Sequence, residues 1–132
     1  MVKTNYKIAI ALVAGAAIGG AAIQGLHAQA KPPSLLITDI SEITNPDGFK
    51  AVSARPQAEA AARIKAGGGT YFARTDRIIA VDGAPPKRMI IIAFDSLEKA
   101  QAFNNSAGQK EVNEIRTKNT KSRSFIIEGM AN

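Results

Sequence analysis

The fold is decided at residues 88–98, which run Arg88-Met89-Ile90-Ile91-Ile92-Ala93-Phe94-Asp95-Ser96-Leu97-Glu98. The apolar run at positions 89–94 is bounded by charged residues on both sides, and it predicts a β-strand. Successive side chains of a strand point to opposite faces. Positions 89, 91 and 93 therefore lie on one face and positions 90, 92 and 94 on the other. Both faces are apolar, so both must be covered.

The segments before this strand predict another strand and two helical stretches. Leu35–Ile40 is a short apolar run and predicts the first strand. Asn45-Pro46 begins a helix, with Asn as the N-cap and Pro at the first helical position, and Pro56 interrupts it. Gln57–Ala66 is Ala-rich and helical by propensity.

The triple glycine that follows, Gly67-Gly68-Gly69, predicts the end of this helix. It is not interpreted as a phosphate loop, because no Lys-Ser/Thr pair follows it. Thr70–Ala73 predicts a second strand, which Ile78–Val81 continues or follows. Residues 82–86 form a turn.

After the central strand, Asp95 and Glu98 resemble a capping box that opens a helix. Asn104–Gly108 predicts a break, and a last helix follows it. Lys118–Arg123 is expected to be a polar basic turn, and Ser124–Glu128 the final strand.

The predicted order is βαββαβ, which is the ferredoxin-like α+β arrangement with an antiparallel sheet. Its helices cover one face of the sheet, so the second apolar face needs another cover. A second copy of the chain is the simplest candidate, and we expect a homodimer with sheets packed face to face. The alternative is a hydrophobic strand that stays partly exposed.

Residues 1–30 have the three parts of a secretory signal peptide. Lys3 and Lys7 supply the positive region, Ile8–Ile23 is uncharged and apolar, and Ala28-Gln29-Ala30 fits the cleavage pattern. We expect cleavage after Ala30, a single domain over residues 31–132, and a periplasmic or secreted protein. The alternative is an uncleaved membrane anchor, which would be the chain's one contact with a membrane.

Composition excludes several chemistries from residues 31–132. The chain has no Cys, and its one His is His27, inside the predicted signal. A Ser-His-Asp triad, a thiol nucleophile, a His-ligated zinc and a His-ligated haem are therefore excluded. The formal net charge of +6 includes Lys3 and Lys7, and no dense basic stripe with aromatics remains. We expect no cofactor and no nucleic-acid partner.

Several segments, in this order and spacing, resemble a known family. They are Gly68–Arg74, Val81-Asp82-Gly83, the strand-to-helix block Arg88–Phe103, Arg116 and Ile127-Glu128-Gly129. The set is similar to domain-of-unknown-function family thirteen-thirty (DUF1330), in the dimeric α+β barrel superfamily. The resemblance implies a ferredoxin-like fold and a barrel-like dimer. That superfamily includes cofactor-independent monooxygenases, haem-degrading enzymes and isomerases, which bind ligands between sheet and helices.

This chain departs from the family pattern at three positions. Phe49, Val52 and the region of Gln109 stand where the family commonly has tyrosines. The resemblance therefore implies a more apolar pocket here.

Arg74 and Arg116 are the leading ligand-binding candidates, because a guanidinium can hold a carboxylate or enolate through two hydrogen bonds. The alternative is that each pairs with a surface carboxylate such as Asp76, Asp95 or Glu128. Further candidates for the cleft are aromatic: Tyr71, Phe49 and Phe94. These three could equally serve as core or interface residues.

Two main functions remain open. One is a small dimeric ligand-binding or structural module. The other is a cofactor-independent enzyme, monooxygenase- or isomerase-like, acting on a small hydrophobic or anionic molecule. A third hypothesis is that Lys118, Lys121 and Arg123 bind an anionic lipid or polymer.

Overall fold

The computed structural model describes residues 31–131, so the predicted signal peptide lies outside the described residues. The elements are β1 (Ser34–Ile43), α1 (Pro46–Ser53), α2 (Gln57–Ala66), β2 (Gly69–Thr75), β3 (Arg88–Phe94), α3 (Leu97–Asn104), α4 (Ala107–Asn119) and β4 (Thr120–Glu128). Within residues 31–131, no helix combines the length and the apolar character needed to cross a membrane.

The four strands form one antiparallel sheet in the order β2-β3-β1-β4. Two helices connect β1 to β2 and two connect β3 to β4, as the breaks at Pro56 and at Asn104–Gly108 predict. The core joins the sheet to these helices through Leu36, Ile92 and Phe94 on the strands and Ile64, Ala100 and Phe103 on the helices. The predicted α+β fold is therefore confirmed.

The central strand is apolar on both faces, as predicted. Ile92 and Phe94 are buried under the helices. The opposite face carries a continuous apolar surface, because the register aligns residues of β1, β3 and β4 there. We call this surface the open face; it consists of Leu35, Ile37, Met89, Ile91, Ala93, Phe125 and Ile127. Phe125 and Ile127 are 40% and 42% exposed.

Two helix boundaries follow the sequence signals closely. Asn45 is the N-cap of α1, and its side-chain oxygen accepts the Gly48 N–H at 3.1 Å. At the end of α2, Gly68 has a φ of +82°, the left-handed conformation that favours glycine.

The predicted capping box at the start of α3 is wrong. Ser96 is the N-cap, and its hydroxyl accepts the Lys99 N–H at 3.3 Å. The Asp95 carboxylate instead binds the Lys99 ammonium at 3.1 Å. The cap lies one residue later because the Ser96 hydroxyl, and not the Asp95 carboxylate, accepts a free N–H of the first turn.

The predicted turn at Lys118–Arg123 is also wrong, because β4 begins directly after α4. Two side chains end the helix by donating to carbonyls of its last turns. Asn119 Nδ2 donates to the Ile115 carbonyl and Thr120 Oγ1 to the Arg116 carbonyl, both at 2.7 Å. No loop residue is needed to satisfy these carbonyls.

Ile78–Val81 does not form a strand. β2 pairs with β3 only as far as Thr75, opposite Met89, so residues 78–81 have no strand beside them. Ile79 and Val81 are 91% and 100% exposed in the connection to β3.

Candidate ligand-binding cleft

A cleft lies between the helix-covered face of the sheet and helices α1, α2 and α4. Its floor is Leu36, Thr38, Ile90 and Ile92, and its cover consists of Phe49 and Val52 from α1, Ala60 and Ile64 from α2 and Val112 from α4. The cavity volume is about 90 Å³. Glu59 lines the cleft and is exposed, so the cleft opens to solvent.

The charged residues of the cleft are strongly unbalanced. Among the described residues, five arginines line it and Glu59 is the one carboxylate that does. The arginines are Arg55, Arg63, Arg74, Arg88 and Arg116. Arg55 is neutralised by an ion pair with Glu111. The other four have no carboxylate oxygen of residues 31–131 within 4.0 Å.

Arg74 and Arg88 project into the cleft from neighbouring strands. Arg74 lies opposite Ile90 in the register, and Arg88 is on the same face two residues before Ile90. The Arg74 guanidinium lies 5.9 Å from the centroid of the Tyr71 ring. Burial, and then the charge of Arg74, lower the pKa of Arg88, while Asp76 and Tyr71 act in the opposite direction. The two cations therefore repel each other across the strand pair.

A β-bulge gives Tyr71 and Arg74 the same face of the sheet. Tyr71 lies opposite Ile92 and Arg74 opposite Ile90, with the register shifting between Tyr71 and Ala73. In a regular strand, residues three apart point to opposite faces. Phe72 takes the extra position and is 72% exposed. The bulge thus places an aromatic ring and a guanidinium side by side in the cleft.

Arg116 enters the cleft from α4 and is only 7% exposed. Its two terminal nitrogens donate to Ser122 Oγ at 2.7 Å and to Asn113 Oδ1 at 3.4 Å. Burial lowers its pKa. Arg116 also lines a second cavity of about 440 Å³ beside β4, so its side chain borders two cavities of the domain.

Neutral amides link the cleft cations to each other. Arg63 donates to Gln109 Oε1 at 2.6 Å, Gln109 donates to Asn113 Oδ1 at 3.1 Å, and Asn113 donates to Asn104 Oδ1 at 3.0 Å. Asn113 thus accepts hydrogen bonds from both Gln109 and Arg116. These partners hold the guanidiniums in position without cancelling their charge.

The structure brings four of the five predicted site residues together. Arg74, Arg116, Tyr71 and Phe49 all line the cleft. Phe94 does not, since it is buried in the core with its ring centroid 5.2 Å from that of Phe103. The proposed pairing of the two arginines with Asp76, Asp95 or Glu128 is not observed. Ligand binding by these residues stays a prediction.

Four polar residues in or beside the cleft were not predicted from the sequence: Arg63, Arg88, Gln109 and Asn113. Arg88 could have been found, because strand alternation from Ile90 places position 88 on the helix-covered face. Gln109, Asn113 and Arg116 could have been grouped, because spacings of three and four residues share one helix face. Arg63 carries no comparable signal.

Two of the three surface cations of the third hypothesis form ion pairs. Lys121 pairs with Glu42, and Arg123 pairs with Asp39, both at 3.1 Å. Lys118 is the one of the three cations without an ion pair among residues 31–131, so the charge available to an anionic lipid or polymer is reduced.

A family model described as "Domain of unknown function (DUF1330)" matches residues 33–130. No curated protein matches the sequence.

Among solved structures, a protein of unknown function from Rhodopseudomonas palustris is similar with a TM-score of 0.57 and 14% identity, covering 76% of this chain and 84% of that one. SnoaB, a cofactor-independent oxygenase from Streptomyces nogalater, has a TM-score of 0.50 and 12% identity, covering 76% and 96%. These two likenesses show the fold alone. A dimeric protein of unknown function with a ferredoxin-like fold from Bacteroides fragilis has a TM-score of 0.46 and 10% identity, covering 75% and 98%.

Proposed function

Because the chain belongs to the DUF1330 family, whose description names no reaction, we propose its function from the cleft: the domain binds a small organic anion between its sheet and its helices. The observation that carries this proposal is the pair formed by Arg74 and Arg88. Both guanidiniums line the cleft, and neither has a carboxylate of the described residues within 4.0 Å.

Two adjacent cations in a partly desolvated cleft are unfavourable without a counter-charge. A bound carboxylate would remove the repulsion between Arg74 and Arg88. It would also use the planar donor geometry of the guanidinium, which suits two parallel hydrogen bonds to a carboxylate. The arrangement is therefore suited to an anion supplied from outside the chain.

The rest of the cleft favours an apolar body on that anion. Ile90, Ile92 and Val112 are aliphatic, and the Tyr71 and Phe49 rings lie among the same lining residues. The cavity of about 90 Å³ suits a single small ring or a short chain rather than a large cofactor. A ligand of this kind would bury its carbon atoms while its acid group meets the arginines.

Self-association and export complete the proposed module. The open face is apolar, and a second copy of the chain would cover it with the same residues. Export follows from the signal expected at residues 1–30 and would place the module in the periplasm or outside the cell. The intact mass of the protein recovered from a periplasmic extract tests export, since cleavage after Ala30 leaves a chain that begins at Lys31.

A cofactor-independent enzyme is the second candidate, and Glu59 and Tyr71 favour it because they line the same cleft as the arginines. Residues 31–131 contain no His and no Cys. Proton transfer would therefore fall to this carboxylate and this phenol. Conversion of a bound compound, detected by mass spectrometry and lost in Glu59→Gln, would identify an enzyme.

The binding proposal is tested with two probes of the same shape, benzoate and benzamide. Full-length protein is expressed, purified and titrated with each compound by calorimetry. We expect benzoate to bind at least about tenfold more tightly, since hydrogen bonds to charged groups contribute about 1.5–3 kcal/mol. Arg74→Gln should remove that preference.

The matched control is Arg77→Gln, which removes an exposed arginine of the β2–β3 connection. This variant should keep the preference for benzoate. Equal affinities for benzoate and benzamide in the unaltered protein, or equal losses in the two variants, would overturn the proposed function.

A further inference from the structure

We propose that the ligand of the cleft is a dianion, with one acid group between Arg74 and Arg88 and the second at Arg116. This inference rests on the function proposed above and specifies its ligand class. It starts from the position of Arg116, which lines the cleft on the side opposite Arg74 and Arg88.

The sheet register separates the two cationic positions. One row across the helix-covered face runs from Ser124 on β4 through Thr38 and Ile90 to Arg74 on β2. Arg116 bonds to Ser122, which is two residues from Ser124 on the same strand. Arg116 therefore lies above the β4 edge, and Arg74 and Arg88 lie above β2 and β3.

Thr38 and Ile90 form the floor between these positions. The three gaps between the four strands span roughly 14 Å at about 4.8 Å each. The Arg116 guanidinium is held at Ser122 on β4, and the Arg74 side chain reaches from β2 into the cleft, so the gap between the two guanidiniums is shorter than this span. The spacer between the two acid groups should therefore be a few carbon atoms long, and it would lie over Thr38 and Ile90.

Arg116 has the features of a built anion site. It is only 7% exposed, and its two hydrogen-bond acceptors, Ser122 and Asn113, are neutral. A guanidinium has five N–H donors, so three remain uncommitted within the described residues. A buried charge without a counter-charge is costly, and a second acid group of the ligand would supply the missing one.

The amide network gives Arg116 a fixed direction. Asn113 accepts from Arg116 and from Gln109, and Gln109 in turn accepts from Arg63. Because each acceptor is uncharged, the guanidinium is oriented without being neutralised. A carboxylate at position 113 would have served an ion pair instead, and the chain has Asn there.

The competing interpretation is that Arg116 only fastens α4 to β4 through Ser122. In that case a second acid group on the ligand would gain nothing. The two interpretations therefore differ in the affinity of diacids relative to matched monoacids of the same length.

The experiment titrates the full-length protein with succinate, glutarate, adipate and pimelate, each beside its monoamide. We expect one chain length to bind at least about tenfold more tightly than its monoamide, and shorter and longer diacids to gain less. Arg116→Gln should reduce that ratio to about one, whereas Arg116→Lys should keep part of it.

Arg123→Gln is the matched control, because Arg123 is exposed, lies outside the cleft and pairs with Asp39. It should keep the diacid preference. The inference is overturned if no diacid binds the unaltered protein more tightly than its monoamide does. This result does not depend on any variant being folded. If benzoate still binds more tightly than benzamide in that case, the proposed function stands without the dianion inference. If benzoate does not bind more tightly, the proposed function and the dianion inference both fail.

Discussion

Under the proposed function, Arg88 would favour anion binding at a cost in stability. Its side chain is partly buried, and the neighbouring charge of Arg74 acts against it, as the lowered pKa indicates. The Asp76 carboxylate acts in the opposite direction on the pKa of Arg88, but it is exposed just after β2 and lies beyond ion-pair distance. Residues held in such an arrangement are typical of functional sites.

Replacing Arg88 by Met should therefore stabilise the ligand-free protein. The change removes the charge and keeps a long side chain, so we expect the free energy of unfolding to rise by about 0.5–1 kcal/mol. Urea denaturation monitored by circular dichroism measures it. Arg77→Gln, at an exposed position, should change the free energy of unfolding by less than about 0.5 kcal/mol. A clear loss of stability in Arg88→Met would show that Arg88 is a structural residue.

Anion affinity should be nearly independent of pH between about pH 6 and pH 9. Residues 31–131 contain no His or Cys, and the cleft cations are guanidiniums. Burial lowers the pKa of Arg88 and Arg116. Burying the two charged side chains therefore costs free energy of folding at every pH below these pKa values. This cost is relieved only in strongly alkaline solution, where the guanidiniums lose their protons. Benzoate affinities at four pH values should agree within about twofold. A step or a bell-shaped profile would contradict guanidinium recognition.

Arg74, Arg116, Tyr71 and Phe49 could be predicted from the sequence as cleft residues, but their partners could not. Within residues 31–131 no carboxylate pairs with Arg74, and this depends on which side chains the fold brings close. The shared face of Tyr71 and Arg74 depends on the bulge at Phe72, which breaks the alternation that a regular strand would follow. Phe94 does not line the cleft, because its ring packs against Phe103 in the core.

At the scale of elements, the sequence predicts a helix boundary correctly only where a residue at that boundary has a strong local preference for it. The Asn45 side chain caps the start of α1, and Gly68 adopts a positive φ at the end of α2. Each of these residue types strongly favours the helix boundary at which it is found. The junction between α4 and β4 has no such signal, because Asn119 and Thr120 end the helix by bonding backward to its carbonyls. Polar residues at such a junction resemble a turn in the sequence.

The cap of α3 provides a direct test of element boundaries. Ser96→Ala removes the hydroxyl that accepts the Lys99 N–H, and N-cap substitutions of this kind cost about 1 kcal/mol. Asp95→Ala removes an exposed ion pair with Lys99 and should cost less than about 0.5 kcal/mol. Urea denaturation of both variants measures which substitution lowers the free energy of unfolding more. A larger loss for Asp95→Ala would restore the capping box predicted from the sequence.

At the scale of the whole molecule, the two faces of the sheet differ in character. The helix-covered face holds the cleft, and the open face carries the apolar surface centred on Ile37. Ile37 lies between Ile91 on β3 and Phe125 on β4, so three large apolar side chains are adjacent there. The two-faced pattern was visible in a single strand of the sequence. The charge of the cleft was not, because its arginines come from β2, β3, α2 and α4 and from the connection between α1 and α2.

Self-association should therefore depend on Ile37 and not on apolar residues elsewhere. We expect the full-length protein to sediment as a dimer at micromolar concentration, and Ile37→Glu to sediment as a monomer, because a face-to-face interface would bury the new carboxylate without a partner. Ile79→Glu is the control, since Ile79 is 91% exposed and lies outside the open face; it should leave the dimer intact. Benzoate affinity should survive Ile37→Glu, because the cleft is on the opposite side of the sheet. A dimer that persists in Ile37→Glu would place the interface elsewhere and leave the open face in contact with water.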